Sequence, residues 1–266
     1  MLKRLIYSLY SGTFRLGHRK FKRIILVTGS PRSGTTMLAE YLMEKYSANV
    51  VWEPLQDTIF RGYNWYFSRR PTAEDYRIHD DLKLYLLNLV TFSSTCFETL
   101  WLKNRKYFVL NSRRSETLVI KFTRGNGIVE SLAKDLKVLG YEVITYGIHR
   151  QVQSVVASQI EHHEFTGHPI CKDIILPLGE LGIHQRLTAT WIYDTNNIKN
   201  ADIDHLIEYS SFIRNTKGLK YSSTFNKSTK QNGSFDSKYL KTLSPKQLAE
   251  IDLLIELNLS GDTCSS

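Results

Sequence analysis

The sequence predicts an α/β domain in which helices cover both faces of a central, mostly parallel, P-loop-like sheet. Three observations support this prediction. Short apolar segments alternate along the chain with amphipathic helical segments, as in proteins built from strand–helix–strand units. The first apolar segment, Arg23–Thr28 (RIILVT), is almost uninterrupted, which is typical of a strand buried on both faces of a sheet. A glycine-bounded loop then joins that strand to a helical segment, as in phosphate-binding proteins.

The other elements follow from the spacing of apolar residues along the chain. Runs of β-branched residues predict strands, and apolar residues three and four apart predict helices. The further predicted strands are 49–52, 117–122, 142–148 and 205–209, and the predicted helices are 35–46, 81–90, 128–139, 151–160, 184–197 and 244–257. Ser244 and Pro245 mark the start of the last helix, because serine caps helices and proline fits the first helical position.

Two segments interrupt the alternation. Residues 161–180 form an irregular insertion, and residues 214–238, rich in Ser, Thr, Lys and Asn, predict a mobile loop. The histidines of the insertion lack the spacing of a zinc site, so we expect no metal there. The three cysteines are far apart, which favours reduced thiols and a cytoplasmic protein.

Length and charge divide the chain into an arm and a body. A chain of 266 residues suits a single α/β domain over residues 22–266, preceded by a basic arm, residues 1–21. Residues 1–23 contain seven basic residues and no acidic one, so the remainder is close to neutral at +2. The arm also carries leucines, which makes it compatible with peripheral contact to an anionic membrane and equally with a solvated extension. The near-neutral body argues against a nucleic-acid partner.

The loop after the first strand has the features of a phosphate cradle. Gly29 and Gly34 allow the backbone to approach an anion closely, and the following helix presents its positive end. Hydroxyl groups and the Arg32 guanidinium add donors and a fixed charge. The predicted contact residues are Ser30, Pro31, Arg32, Ser33, Gly34, Thr35 and Thr36.

The spacing nearly matches the P-loop pattern G-x-x-x-x-G-K-[ST], with one decisive difference. Thr35 stands where the nucleoside triphosphatases have the lysine that contacts the β- and γ-phosphates. This difference argues against ordinary ATP or GTP chemistry. A P-loop small-molecule kinase remains an alternative, because it would use the same cradle.

At this loop the sequence resembles the sulfotransferase superfamily. GSPRSGTT, residues 29–36, looks like the donor loop of Golgi-type and bacterial sulfotransferases. The resemblance implies that the loop binds the 5′-phosphosulfate of 3′-phosphoadenylyl sulfate (PAPS). An arginine at position 32 is similar to the carbohydrate and tyrosylprotein branches of the family.

A second segment, Val143–Ile160, carries an independent resemblance. Arg150 ends a predicted strand and Ser158 follows eight residues later, similar to the family's second donor motif. The resemblance implies that these two residues hold the 3′-phosphate, the group that distinguishes PAPS from ATP. Gln151-Val152 and Gln159 depart from the usual pattern, and a surface arginine with an unrelated helix serine stays open as the other reading.

Sulfuryl transfer to a hydroxyl requires a general base near the acceptor oxygen. Glu53 follows the second strand at the predicted sheet edge, and VVWEPL, residues 50–55, resembles the segment that carries the base in carbohydrate sulfotransferases. We expect burial against an apolar wall such as Trp52 to raise its pKa. Lys121, at the end of the third strand, is the further catalytic candidate; a lysine extending from a strand end is the alternative.

The sequence therefore predicts a PAPS-dependent sulfotransferase that acts on a hydroxyl, with a carbohydrate or glycolipid as the expected acceptor. Arg32, Lys121 and Glu53 are the expected catalytic residues, and the scheme requires no metal. The alternatives are the kinase named above and a non-enzymatic protein that binds an anionic surface through its arm. A preference for a 3′-phosphorylated nucleotide separates the first prediction from both.

Overall fold

A computed structural model of the protein describes residues 21–55, 70–90, 115–162, 174–175, 180–216 and 239–259. The predicted basic arm lies outside the described residues except for Phe21. Most of the predicted insertion at 161–180 and the predicted mobile loop from residue 217 onward also lie outside them.

The described strands form one five-stranded parallel sheet, which confirms the predicted fold class. The strands are β1 (Arg23–Thr28), β2 (Asn49–Trp52), β3 (Thr117–Phe122), β4 (Glu142–His149) and β5 (His205–Glu208), in the order β2-β3-β1-β4-β5. The pairings β1–β3, β1–β4, β2–β3 and β4–β5 are all parallel. Strand β1 is therefore central. The carboxyl ends of its neighbours β3 and β4 lie at the same edge of the sheet as the loop that follows β1.

The helices agree with the predicted positions to within a few residues. They are α1 (Thr35–Lys45), α2 (Ala73–Ile78), α3 (Asp80–Leu89), α4 (Val129–Val138), α5 (Val152–Glu161), α6 (Ile183–Asn200), α7 (Tyr209–Thr216), α8 (Tyr239–Thr242) and α9 (Pro245–Leu259). Helices α2, α7 and α8 were not predicted, and two of these three have fewer than eight residues. None of the described helices combines the length and the apolar character needed to cross a membrane.

Tyr209 was predicted as the end of the last strand, but it begins α7. The Glu208 carboxylate accepts hydrogen bonds from the Ser211 amide at 3.2 Å and the Ser211 hydroxyl at 2.6 Å, and another from the Ser210 hydroxyl. These bonds lower the pKa of Glu208 to about 2. A carboxylate at a helix N-terminus satisfies free amides and interacts with the helix dipole, so the chain turns into a helix directly after β5.

Two apolar layers enclose the sheet, as the predicted architecture requires. Ile24 and Leu26 of β1 pack on one face with residues of α3 and α4. Ile25 and Val27 pack on the other face with residues of α1 and α7. Side chains alternate between the faces of a strand, so the apolar run of β1 serves both layers.

Candidate functional site

The loop between β1 and α1 packs so closely against β4 and Tyr209 that two of its positions require glycine. A Cβ on Gly29 would lie 2.5 Å from the Ile148 carbonyl oxygen of β4, so only glycine fits. Gly34 has φ of 100°, and a Cβ there would lie 2.5 Å from the Tyr209 ring. Arg32 also adopts a left-handed conformation, with φ of 68°, which is uncommon for a residue with a side chain and clusters at functional sites.

Two of the predicted loop hydroxyls point into the protein. The Ser33 amide and hydroxyl donate to the Ser30 carbonyl oxygen at 3.1 and 2.6 Å, which closes the turn on itself. The Ser30 hydroxyl donates to Asp194 Oδ2 at 2.9 Å. Thr35 is buried and Thr36 is half-buried in the first turn of α1. The side chains of Ser30 and Ser33 therefore hold the loop in shape.

The start of α1 can receive an anion. Its N-cap residue is Gly34, which has no side chain, and its first turn contains no acidic residue. The amide groups of the first helical turn and the positive end of the helix dipole are therefore not neutralised by a carboxylate within the helix. Pro31 is held from outside the loop, because Gln159 Nε2 donates to its carbonyl oxygen at 3.1 Å.

The two predicted donor motifs contact each other in the structure. Arg32 Nε donates to Ser158 Oγ at 3.2 Å, and Arg150 Nη1 lies 3.4 Å from the Arg32 carbonyl oxygen. The Arg150 guanidinium lies 4.7 Å from the centre of the Tyr209 ring, within the range of a cation–π interaction. Residues that are more than a hundred positions apart in the chain thus meet beyond the carboxyl ends of β1 and β4.

The surroundings of Arg150 restrict its movement. Its side chain is buried, and the Trp191 indole donates to its backbone carbonyl oxygen at 3.0 Å. Ser154, one turn before Ser158 on α5, is also buried, and its hydroxyl has no hydrogen-bond partner among the described residues. A buried hydroxyl normally has a partner, so Ser154 has an unused donor on the same helix as Ser158.

Glu53 is held as a carboxylate at the ends of β2 and β3. Lys121 Nζ forms an ion pair with Glu53 Oε1, and the amide and hydroxyl of Thr123 donate to Oε2 at 3.0 Å each. Burial by itself raises the pKa of Glu53, yet the pKa lies below its ordinary value because Lys121 and Thr123 favour the charged form more strongly. The expectation of a raised pKa is therefore wrong, because it omitted the partner that β3 supplies.

A second carboxylate, Glu40 of α1, has a different environment. It is 5% exposed, and its Oε1 has no hydrogen-bond partner among the described residues. Burial, reinforced by Glu44 and opposed by Lys121, raises the pKa of Glu40 to about 7. Two carboxylates with opposite pKa shifts therefore interact with the same lysine.

Three polar residues of the site were not predicted: Arg70, Asn126 and Asp194. Asn126 Oδ1 accepts from the Gly29 amide at 3.0 Å and from the Thr28 hydroxyl, so it fixes the start of the loop. Asp194 accepts from Ser30 and pairs with Arg70. For Asp194 a signal existed, because it lies seven residues after Leu187 and four before Ile198 and so interrupts the apolar face of α6. Arg70 and Asn126 lie in irregular segments, where no such pattern marks them.

Taken together, the described site combines cationic groups, a helix N-terminus and a paired carboxylate at one edge of the sheet. Such a site can bind a phosphorylated ligand and accept a proton from a second molecule. Among the described residues, no cluster of His, Cys, Asp and Glu side chains could hold a metal ion.

No known family model matches this chain, and no curated protein is significantly similar to it in sequence. The solved structures that are similar in fold include two sulfotransferase domains. The sulfotransferase domain from the Synechococcus PCC 7002 olefin synthase has a TM-score of 0.45 at 11% identity, over 89% of this chain and 95% of that one. The sulfotransferase domain from the curacin biosynthetic pathway has a TM-score of 0.41 at 15% identity, over 88% and 78%. At these values neither likeness carries a functional inference, which rests instead on the residues of the site.

Proposed function

We propose that this protein is a sulfotransferase that moves a sulfuryl group from PAPS to a hydroxyl of an acceptor. One observation carries the proposal: the loop residue Arg32 contacts Ser158 and Arg150, the residues whose spacing resembles the family's 3′-phosphate motif. Two resemblances that are independent in the sequence thus describe one site. A cradle for a single phosphate would not need the second motif.

The residues present fit a nucleotide that carries phosphate groups at both its 3′ and 5′ positions. The loop, Arg32 and the N-terminus of α1 would hold the 5′-phosphosulfate. Arg150, with Ser158 and the buried hydroxyl of Ser154, would hold the 3′-phosphate, since a guanidinium fork beside hydroxyl groups suits that anion.

Glu53 is the proposed general base, and Lys121 is the proposed cation beside the transferring group. The acceptor oxygen attacks sulfur as its proton passes to the Glu53 carboxylate. The bond between sulfur and the 5′-phosphate oxygen breaks, and the nucleotide leaves with that electron pair. Glu53 is ionised before the reaction because of its lowered pKa. A shift of Lys121 toward the sulfonate would weaken the ion pair and make the carboxylate a stronger base.

A carbohydrate or glycolipid hydroxyl is the acceptor that we propose. The support is the resemblance of residues 50–55 to the base segment of carbohydrate sulfotransferases. The aromatic and basic residues at 62–70, which could stack on a sugar ring, lie outside the described residues except for Arg70.

The test is thermal stabilisation by 3′-phosphoadenosine 5′-phosphate (PAP), compared with AMP and with ATP plus magnesium. AMP differs from PAP only by the 3′-phosphate, so their difference isolates the proposed second subsite. A ligand at about 100 times its Kd adds about 2.7 kcal/mol, or roughly 5–10 °C in a chain of this size. Arg150→Ala should remove the preference for PAP, whereas Arg77→Ala, at an exposed ion pair on α2, should keep it.

The rival functions predict other results. Equal stabilisation by PAP and AMP in the unmodified protein would refute the 3′-phosphate subsite. A larger effect of ATP with magnesium would favour the kinase, in spite of Thr35. No effect of any nucleotide would favour a non-enzymatic protein.

A further inference from the structure

A buried ion pair lies between the phosphate loop and the segment that contacts Glu53. Arg70 Nη1 lies 2.8 Å from Asp194 Oδ1, and the two side chains are 4% and 0% exposed. Removing two charges from water costs several kcal/mol, and an apolar pair of the same volume is often at least as stable. The stability of the fold alone therefore does not account for this pair. The hydrogen-bond partners of Asp194 and Arg70 indicate a further role.

One side of the pair holds the phosphate loop. Asp194 Oδ2 accepts the Ser30 hydroxyl at 2.9 Å, so each carboxylate oxygen of Asp194 has its own donor. Ser30 in turn supplies the carbonyl oxygen that closes the loop through Ser33. The Ser30 side chain thereby binds the phosphate loop to α6.

The other side of the pair holds the segment that carries the proposed base. The same Arg70 nitrogen donates to the Thr123 carbonyl oxygen at 2.9 Å. Thr123 donates through its amide and hydroxyl to Glu53 Oε2. A continuous chain of hydrogen bonds therefore runs from Ser30 through Asp194, Arg70 and Thr123 to Glu53.

We propose that Asp194, through Arg70, is a positioning residue that fixes the phosphate loop relative to Glu53. The inference rests on the proposed function for what the positioning serves, because in-line transfer requires the donor and the acceptor's base in a defined relative geometry. Asn126 forms a second, shorter connection, since it accepts from the Gly29 amide and donates to the Thr123 carbonyl oxygen at 3.3 Å. Asn126 also hydrogen-bonds to the Asp194 carboxylate, so the two connections touch at Asp194. The two connections start from neighbouring loop residues and end on the same carbonyl group.

Amide hydrogen exchange in the nucleotide-free protein tests this coupling without any assumption about the ligand. Ser30→Ala removes the loop's bond to Asp194 and leaves the ion pair in place. We expect exchange to become about fivefold faster in residues 29–34 and clearly faster in residues 121–126 as well, as the loss of one net hydrogen bond implies. Thr145→Ala is the matched control, because the Thr145 hydroxyl is also buried and donates to an aspartate, Asp204, at 2.7 Å.

A double-variant comparison identifies the route. In an Asp194→Ala background, which removes both contacts of the carboxylate, Ser30→Ala should add nothing further at residues 121–126. An undiminished effect there would assign the coupling to Asn126 and overturn the role of Asp194. If Asp194→Ala does not fold, the single Ser30→Ala variant still decides: unchanged exchange at residues 121–126 overturns the proposal.

Nucleotide binding provides the functional side of the test. In the unmodified protein, PAP should slow exchange both in the loop and in residues 121–126. In Ser30→Ala the loop should still be protected by PAP, while the protection of residues 121–126 falls. If the proposed function is wrong, the unmodified protein will show no preference for PAP over AMP. The role of Asp194 is then still tested by hydrogen exchange in the nucleotide-free protein.

Discussion

At the scale of single residues, Lys121 interacts with two carboxylates whose environments differ. Glu53 has Lys121 and Thr123 as close partners, and its pKa is lowered. Glu40 is buried with an oxygen that lacks a partner among the described residues, and its pKa is raised to about 7. Opposite shifts in two carboxylates near one lysine distinguish a group that is ionised at neutral pH from one that is still partly protonated there.

Glu40 predicts a pH-dependent stability. Its folded-state pKa is above the unfolded value of 4.5, so the folded protein binds a proton more strongly between about pH 4.5 and pH 7. The free energy of unfolding should therefore fall as pH rises through this window. Relative to the unmodified protein, Glu40→Gln should gain about 2–3 kcal/mol between pH 4 and pH 8. Urea unfolding across pH measures this difference.

Glu256→Gln is the control for that experiment, because Glu256 is exposed on α9. Its difference from the unmodified protein across pH gives the baseline for replacing an exposed carboxylate. The interpretation of Glu40 fails if Glu40→Gln shows no more pH dependence than this control.

Glu53→Gln tests the proposed base. The amide keeps the size of the side chain and cannot accept a proton in the transition state, so sulfuryl transfer should fall by at least about 100-fold. The affinity for PAP should change little, since Glu53 is not a proposed donor contact. Transfer of radiolabelled sulfate from PAPS to a panel of oligosaccharides measures the first effect, and calorimetry with PAP the second. Full transfer activity in this variant would exclude Glu53 as the base.

At the scale of elements, the loop and helix α1 depend on α7 for their shape. The Tyr209 ring covers Gly34 and lies against the Arg150 guanidinium. Tyr209 occupies this position because the Glu208 carboxylate starts α7 directly after β5. The last strand and its helix thus complete a site whose motifs come from β1 and β4.

Gly34→Ala should destabilise the protein and abolish PAP binding. The new Cβ would meet the Tyr209 ring at 2.5 Å in addition to the strain of a φ of 100°. Gly140→Ala separates these effects, because Gly140 has φ of 87° and open space around the position of a Cβ. We expect about 1 kcal/mol of destabilisation for Gly140→Ala, from backbone strain alone, and about 2–4 kcal/mol for Gly34→Ala. Equal losses in the two variants would contradict the contact between Gly34 and Tyr209.

At the scale of the whole molecule, the parallel sheet brings distant motifs to one edge. Thr28 pairs with Phe122 and with Gly147, so the segments after β1, β3 and β4 start at nearly the same height. Arg32, Lys121 and Arg150 come from these three segments or strand ends. These residues come together because of the order and register of the strands, and neither can be read from any one segment of the sequence.

This convergence predicts non-additive binding energies. Arg32 donates to Ser158 at 3.2 Å, so Arg32→Ala and Ser158→Ala should show a coupling energy of about 0.5–3 kcal/mol for PAP. The control pairs Ser158→Ala with Lys134→Ala, at an exposed ion pair on α4, and should be additive. Calorimetric titration of the three single variants, the two double variants and the unmodified protein measures both cycles. Additive losses for Arg32 and Ser158 would mean that the two motifs bind independently.

The positions of the strands and of most helices could be predicted from the sequence alone. The strands at 23–28, 49–52 and 117–122 were predicted with the bounds that the structure has, because a buried strand needs continuous apolar residues whatever surrounds it. Helix α7 escaped prediction, because its start depends on a local carboxylate cap rather than on apolar periodicity. The phosphate loop was recognisable because glycine spacing and a strand–helix context are local features.

The pKa shifts of the site residues depend on contacts that form only in the folded structure. Glu53 has a lowered rather than a raised pKa because Lys121 and Thr123 lie on another strand and its following loop. Ser30, predicted to contact the ligand, gives its hydroxyl to Asp194, which lies far along the chain on α6. Backbone conformation responds to near neighbours in sequence, whereas the charge state of a buried group depends on partners that only folding brings within a few ångströms.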